Sequence, residues 1–209
     1  MIKIEKIKVE GWEPSIRGMR NPLDSWEKSD SIFGVTTTIG PNDMSLMEKL
    51  VRAGTEHRKF MRMIVVWMDI TAPLYWWKEF DTYKVGTTAN SCSTMHKLTA
   101  KEFTLDDFSH EHLHLDETEL LKEIISTLNC YRDLYNESKW KDDWWQMIQL
   151  LPSSYNQKRT VTMNYENVYS MIRQRTDHKL DEWNEFVVVL KGLPGVKEMF
   201  VFETEGQNV

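Results

Sequence analysis

Residues 64–70, Ile-Val-Val-Trp-Met-Asp-Ile, form a compact β-branched run that ends abruptly in Thr71-Ala-Pro73. Such a run bounded by a proline reads as a buried strand, and a proline in the first turn is suited to starting a helix. Tyr75, Trp76, Trp77, Phe80 and Tyr83 then follow within a few residues, which predicts an aromatic helix over Leu74–Lys84. Val85–Thr99 is a long polar loop of small hydroxyl and amide side chains. Ordering a loop like this costs conformational entropy, and a bound ligand is one way of recovering it. The stretch from Thr71 to Leu98 is thus the first pointer to a site.

The remaining patterns fit a sheet covered by helices. Ile2, Ile4, Ile7 and Val9 alternate with charges, with a phase change between Ile4 and Ile7 that predicts a bulged strand. Pro14–Trp26 predicts a brief helix and a loop, and Ile32–Ile39 a small β element. Ser45 and Glu48 resemble a capping box for a helix through Met47, Leu50 and Val51 that stops near Gly54, and a short helix is predicted from His57 to Arg62. Leu120, Leu121, Ile124, Ile125, Leu128, Tyr131, Leu134 and Tyr135 form a helical stripe that Asp116 or Thr118 can cap. Trp140–Leu151 is read as a helix, Ser153–Arg159 as a polar connection, and Asn164–Leu190 as one long helix. We find no repeat, low-complexity segment or linker, so residues 1–209 are read as a single domain.

Nine Trp and twelve Met in 209 residues suit subunit interfaces as well as cores, and predict a homo-oligomer. A net charge of −6 argues against general nucleic-acid binding. Between His57 and Lys101, however, seven basic residues stand against three acidic ones, a local excess suited to a small anion or to a solvated basic face. Two cysteines and no apolar leader predict a cytoplasmic chain, and no apolar run is long enough for a membrane span.

Individual residues carry more chemistry. On the predicted last helix Arg175 and Lys179 interrupt the apolar stripe of Val168, Met171, Ile172, Trp183, Phe186, Val187 and Leu190. A core-facing cation needs an answer: either an internal ion pair, or a phosphate or planar base gripped by the guanidinium fork. His110, His112 and His114 alternate as strand ligands might, but their acidic context, leading into a helix, marks a solvated connector. Cys92 lies among Asn90, Ser91, Ser93 and Thr94 with Lys84, His96 and Lys97 nearby in sequence. Cations can turn such a thiol into a nucleophile, while burial would make it inert. Cys130 reads as structural. Glycine-rich phosphate loops, HExxH and paired CxxC are absent.

The order of elements resembles the flavin-dependent thymidylate synthase family: a short His-bearing helix, a strand ending in Ala-Pro, an aromatic helix, a tripeptide at 82–84, a polar loop, then Leu151-Pro152 and a helix with an inward Arg. The likeness runs over Leu46–Lys97 and Leu151–Trp183. It implies an α+β fold, with an antiparallel sheet packed with long helices, and a homotetramer holding FAD and dUMP at subunit junctions. His57 and Asn164 match flavin-side residues of the family, and Arg175 matches the arginine that contacts the pyrimidine. Thr82-Tyr83-Lys84 stands where the family has Arg-His-Arg. Asn90, Cys92, Ser93 and Thr94 stand where it has Glu and then Ser, Gly and Arg, and Ile148 and Lys158 replace arginines near Leu-Pro.

The resemblance therefore implies a divergent nucleotide-modifying transferase, of the methyltransferase kind, or a non-catalytic nucleotide-binding descendant. In this expectation Arg175, Lys84, Ser93, Thr94 and Lys158 bind a pyrimidine nucleotide or related phosphorylated small molecule. His57, Thr82 and Asn164 face the cofactor, and Tyr83, Asn90 and Cys92 supply new chemistry. FAD and a reduced folate donor are the implied cofactors. No metal is expected.

Overall fold

The structure is a computed structural model describing residues 2–200, apart from the side chain of His96. In chain order it contains β1 (Lys3–Glu10), α1 (Trp12–Arg20), α2 (Pro41–Arg52), a 3-10 segment (Arg58–Met63), β2 (Val65–Pro73), α3 (Leu74–Phe80), β3 (Thr88–Ser91) and α4 (Thr94–Lys97). After these come α5 (Leu115–Ser138), α6 (Lys141–Leu150), β4 (Asn156–Asn164), α7 (Tyr165–Arg175), α8 (Asp181–Lys191) and α9 (Val196–Met199). The strands build one antiparallel sheet in the order β1-β2-β4-β3, so the α+β class expected from the sequence is the one observed. The chain divides into two compact units.

The first unit holds the residues up to Glu5, Asp69–Thr82 and Ala89–Thr160. Here α3 buries Trp76, Trp77 and Phe80 against one another, with the Trp76 and Trp77 rings 4.9 Å apart and nearly perpendicular. The Trp77 indole N–H donates to the Gln157 carbonyl at 2.9 Å, which settles the polar edge of a buried ring. Helices α5 and α6 pack on Leu98, Phe103 and Phe108 through Leu121, Ile125, Leu128 and Met147. The buried stripe of α5 is narrower than the sequence implies: Leu121, Ile125 and Leu128 are buried, Ile124, Tyr131 and Tyr135 pack in part, and Leu120 and Leu134 are exposed.

The second unit holds Lys6–Met68, Tyr83–Thr88 and the chain from Val161 onward. Its core gathers Trp12 and Ile16 of α1, Met47 and Val51 of α2, Val168, Met171 and Ile172 of α7, and Trp183, Phe186 and Leu190 of α8. Tyr165 is fully buried and donates its hydroxyl to the Pro194 carbonyl at 2.6 Å. Burial pushes that phenol well above its ordinary range.

Several local expectations change. The phase shift in β1 is real, with Lys6 at φ +55°, and Ile32 and Thr38 form the small β bridge. Helix α2, however, begins at Pro41, before the Ser45–Glu48 pair. Its first amides are capped from outside the helix by Asp30, which accepts from Asn42 N at 2.9 Å and Asp43 N at 3.1 Å. Gly40 permits that close approach, since a Cβ there would stand 2.2 Å from the Asp30 carboxyl. The predicted cap of α5 is absent too: His114 precedes the helix, and Thr118 donates its hydroxyl to the His114 carbonyl.

The Val85–Thr99 loop contains β3 and α4, and strand β4 starts inside what was read as a connection. His110–Leu113 is a turn closed by Leu113 N to His110 O, so the histidines do not alternate on a strand. Cys92 and Cys130 are both exposed, so neither is a core cysteine. The expected long helix from Asn164 to Leu190 is broken into α7 and α8. Thr176 turns extended, Asp177 takes φ +58°, and Asn184 bonds both the amide and the carbonyl of His178. Short polar side chains that compete for backbone groups end the helix there.

Candidate functional site

In the second unit, Arg175 is the last residue of α7, where the negative end of the helix dipole favours a cation. Its Nε donates to the Tyr83 hydroxyl at 2.9 Å, and Nη1 lies 3.0 Å from Nε2 of His178. The guanidinium also lies over the rings of Trp183 and Tyr83, 4.7 Å and 5.6 Å from their centroids. The Tyr83 hydroxyl donates a hydrogen bond to Gln174 Oε1 at 3.0 Å, and Gln174 Nε2 donates to Ser170 Oγ. Arg175 is therefore held on two edges and one face while remaining half-buried.

The segment carrying Tyr83 runs along α7 from its last turn to its first. At the far end Asn167 Nδ2 donates to Val85 O at 2.7 Å, and Thr87 donates its hydroxyl to Tyr83 O. Asn164 caps α7 reciprocally with Asn167, accepting from the Asn167 amide at 3.1 Å. Gly86 sits at φ +81°, and a Cβ there would come within 2.6 Å of Asn164 Nδ2, so only glycine fits this turn without strain. Two residues singled out from sequence, Tyr83 and Arg175, are thus in direct hydrogen-bond contact, and Asn164 helps to hold the segment that joins them. Lys84 is exposed beside Tyr83.

His57 is exposed on a cleft of about 1070 Å³ in the same unit, whose lining includes Lys28, Lys49, Lys59, Leu50 and Arg20. Arg20 belongs to a closed network that sequence reasoning missed. Its Nε donates to Asp43 Oδ1 at 2.7 Å, and its other nitrogens reach Ser25 O and Lys28 O. Asp43 Oδ2 accepts from the hydroxyls of Ser29 and Ser31 at 2.7 Å and 2.6 Å. Burial pushes the Asp43 carboxyl up, but the hydrogen bonds from Ser31, Ser29 and Arg20 outweigh it and hold the group below its usual range. A signal for this pair was present: Arg20 shares the apolar face of Trp12, Ile16 and Met19, and Asp43 that of Met47.

The first unit holds the other singled-out residues. Asn90 lies exposed on β3, and Cys92 follows it, its amide donating to Lys158 O at 2.9 Å and its carbonyl accepting from Gln157 Nε2. Ser93 and Thr94 open α4 and are half-buried. Thr82 spends its hydroxyl on the Glu79 carbonyl at 2.7 Å. Lys158 Nζ lies 3.0 Å from Asp69 and 3.9 Å from Glu5, and the Asp69 hydrogen bond raises its pKa. A phosphate at Lys158 would meet two carboxylates. Among the described residues no group of three or more His, Cys, Asp and Glu side chains is placed to hold a metal, and no helix is long and apolar enough to cross a membrane.

Of the residues expected to face a flavin, Thr82 bonds the backbone, Asn164 caps α7 and His57 is exposed, and Lys84 is an exposed cation.

The sequence matches no family model and no curated protein. Among solved structures the chain is similar to two of the flavin-dependent thymidylate synthase ThyX from Helicobacter pylori with FAD and dUMP, at 16% identity and TM-scores of 0.69 and 0.70. Each alignment covers 96% of this chain and 98% of the other. A UMP/dUMP methylase, PolB from Streptomyces cacaoi bound with 5-Br dUMP, aligns at 12% identity and a TM-score of 0.67, covering 96% of this chain and 94% of that one. At such identities the likeness shows the fold, a ThyX-like one.

Proposed function

We propose that this protein is a divergent relative of the flavin-dependent thymidylate synthases that binds a pyrimidine nucleotide or a related phosphorylated small molecule. One observation carries the reading: Arg175, a cation on an otherwise apolar stripe, is aimed by Tyr83, His178 and Trp183 on a fold shared with proteins solved with dUMP or 5-Br dUMP. A guanidinium fixed in this way is suited to planar, carbonyl-bearing rings. Arg175 then orients the base, and Lys84 is better placed than Lys158 to meet phosphate. Ser93 and Thr94 offer hydroxyls. Any chemistry falls to Tyr83, Asn90 and the exposed Cys92 thiol, in a transferase of the methyltransferase kind with a folate-type one-carbon donor. Assembly as a homotetramer belongs to the same proposal.

A second reading, a non-catalytic nucleotide-binding protein, is favoured by Thr82 and Lys158, whose polar atoms meet protein partners. Two measurements on the purified protein separate the readings. Thermal shift with dUMP, dCMP, dTMP and FAD, together with the visible absorption spectrum, is expected to show stabilisation by at least one pyrimidine nucleotide. A flavin band, or stabilisation by FAD, would favour the enzyme. Stabilisation by nucleotide alone, without turnover when folate is added, would favour the binding protein, and no shift with any nucleotide would sink both.

A further inference from the structure

The segment that carries Tyr83 has little apolar packing of its own. Lys84, Val85, Gly86 and Thr88 are exposed, Val85 at 88%. Chain with so few buried contacts frays unless polar contacts hold it. Where the Tyr83 phenol lies against Arg175 therefore depends on what ties the following residues to α7.

Asn167 makes that tie from the first turn of α7, and its side-chain amide works at both ends. Oδ1 accepts from the Asn164 amide at 3.1 Å, completing the reciprocal cap of the helix, while Nδ2 donates to the Val85 carbonyl at 2.7 Å. With an N–H on one side and a carbonyl on the other, a single orientation of the amide satisfies both. Gly86 seats the chain on the same pair of asparagines: a Cβ there would come within 2.6 Å of Asn164 Nδ2 and 2.9 Å of Asn167 Oδ1. About two turns further along α7, the Tyr83 hydroxyl accepts from Arg175 Nε and donates to Gln174 Oε1. Residues 83–86 are thus a short strap fastened to one helix at both ends.

The cap and the clamp made by Asn167 are chemically separable. The cap needs an acceptor, which aspartate also supplies, and a carboxylate in the first turn suits the helix dipole. The clamp needs a donor, which aspartate lacks; its carboxylate would face the Val85 carbonyl instead.

We infer that Asn167 is a positioning residue of the nucleotide site: through its Nδ2–H on the Val85 carbonyl it sets where the Tyr83 phenol meets Arg175. This rests on the nucleotide reading above. Asn167 acts through Tyr83, and its cap on α7 is a separate, structural task.

Asn167→Asp removes the clamp and keeps the cap, and two measurements on it test the inference. The first needs no ligand. In protein labelled with 3-fluorotyrosine, with Tyr83→Phe for assignment, the Tyr83 ¹⁹F line is expected to be displaced by Asn167→Asp, while the lines of tyrosines outside α7 stay. The circular dichroism melt is expected to remain within about 2 °C of the wild type. An unmoved Tyr83 line would overturn the inference whatever the nucleotide results. The second is calorimetric titration of dUMP, dCMP and dTMP into the wild type, Asn167→Asp and Gly86→Ala, which lifts the strap from its own side without altering α7. Both variants are expected to lose about tenfold in affinity for the best ligand. Wild-type affinity in both would overturn the inference, as would a loss in Asn167→Asp matched by a marked fall in its melting temperature, which would assign the effect to the cap. If the wild type bound no pyrimidine nucleotide, the function proposed above would fall, and the fluorine line alone would decide whether Asn167 positions Tyr83.

Discussion

Arg20 and Arg175 occupy the same kind of position, a cation on the apolar face of a helix in the second unit, and the fold treats them differently. Arg20 is 4% exposed and meets Asp43, which is completely buried, and the carboxylate's remaining capacity is filled by Ser29 and Ser31. Arg175 is half-buried and held by a phenol, an imidazole and an indole face. In the first case charge is cancelled inside the protein and the network ties the segment after α1 to α2. In the second, the Tyr83 hydroxyl, the His178 ring and the Trp183 face orient the guanidinium. Arg20 is a structural tie, whereas Arg175 is positioned by rings and a hydroxyl at the site proposed above.

The comparison can be broken most severely at Asp43. Asp43→Ala leaves the Arg20 guanidinium buried without its counter-charge, and about 3–5 kcal/mol of unfolding free energy should be lost, as read from urea melts. Acid probes the same tie. The folded Asp43 pKa lies below its unfolded value of about 3.9, so its contribution is complete above that pH and disappears as pH falls through the depressed folded value. Wild-type stability should therefore fall more steeply below about pH 4 than that of Asp43→Asn, and parallel slopes would contradict the assignment.

Arg175→Ala should do the reverse. Stability changes by about 1 kcal/mol or less, whereas affinity for the stabilising nucleotide drops roughly ten- to hundredfold, the worth of charge-assisted hydrogen bonds. A large loss of stability with unchanged affinity would place Arg175 in Arg20's class. The smallest effect belongs to Lys158→Ala. Its exposed ammonium pairs with half-buried Asp69 and lies 3.9 Å from Glu5, so neither the melting temperature nor nucleotide affinity should move by much, and a marked loss of affinity would restore Lys158 to the phosphate site.

Much of the frame was legible because it depends on local periodicity. The 64–70 run became β2, Pro73 preceded α3, and the Leu121–Ile125–Leu128 line packed as predicted. The Tyr83–Arg175 contact was not legible, since 92 residues separate the two and each pattern is silent about the other. The break at Thr176–Leu180 was hidden for a different reason. The apolar stripe continues in phase on both sides of it, and the Asn184 side chain that stabilises the turn acts from the following helix.

By itself, then, the sequence determined the class of fold, the main strands and helices, and the anomaly of a cation at position 175, because side-chain spacing and the cost of an unanswered buried charge are local properties. Only the tertiary structure decided that Arg20 meets a buried carboxylate while Arg175 meets Tyr83, His178 and Trp183. It also decided that His178 stands beside Arg175 and that both cysteines face outward. Those outcomes depend on which donors and acceptors the folded chain brings within about 3 Å of one another, and spacing along the chain does not encode that.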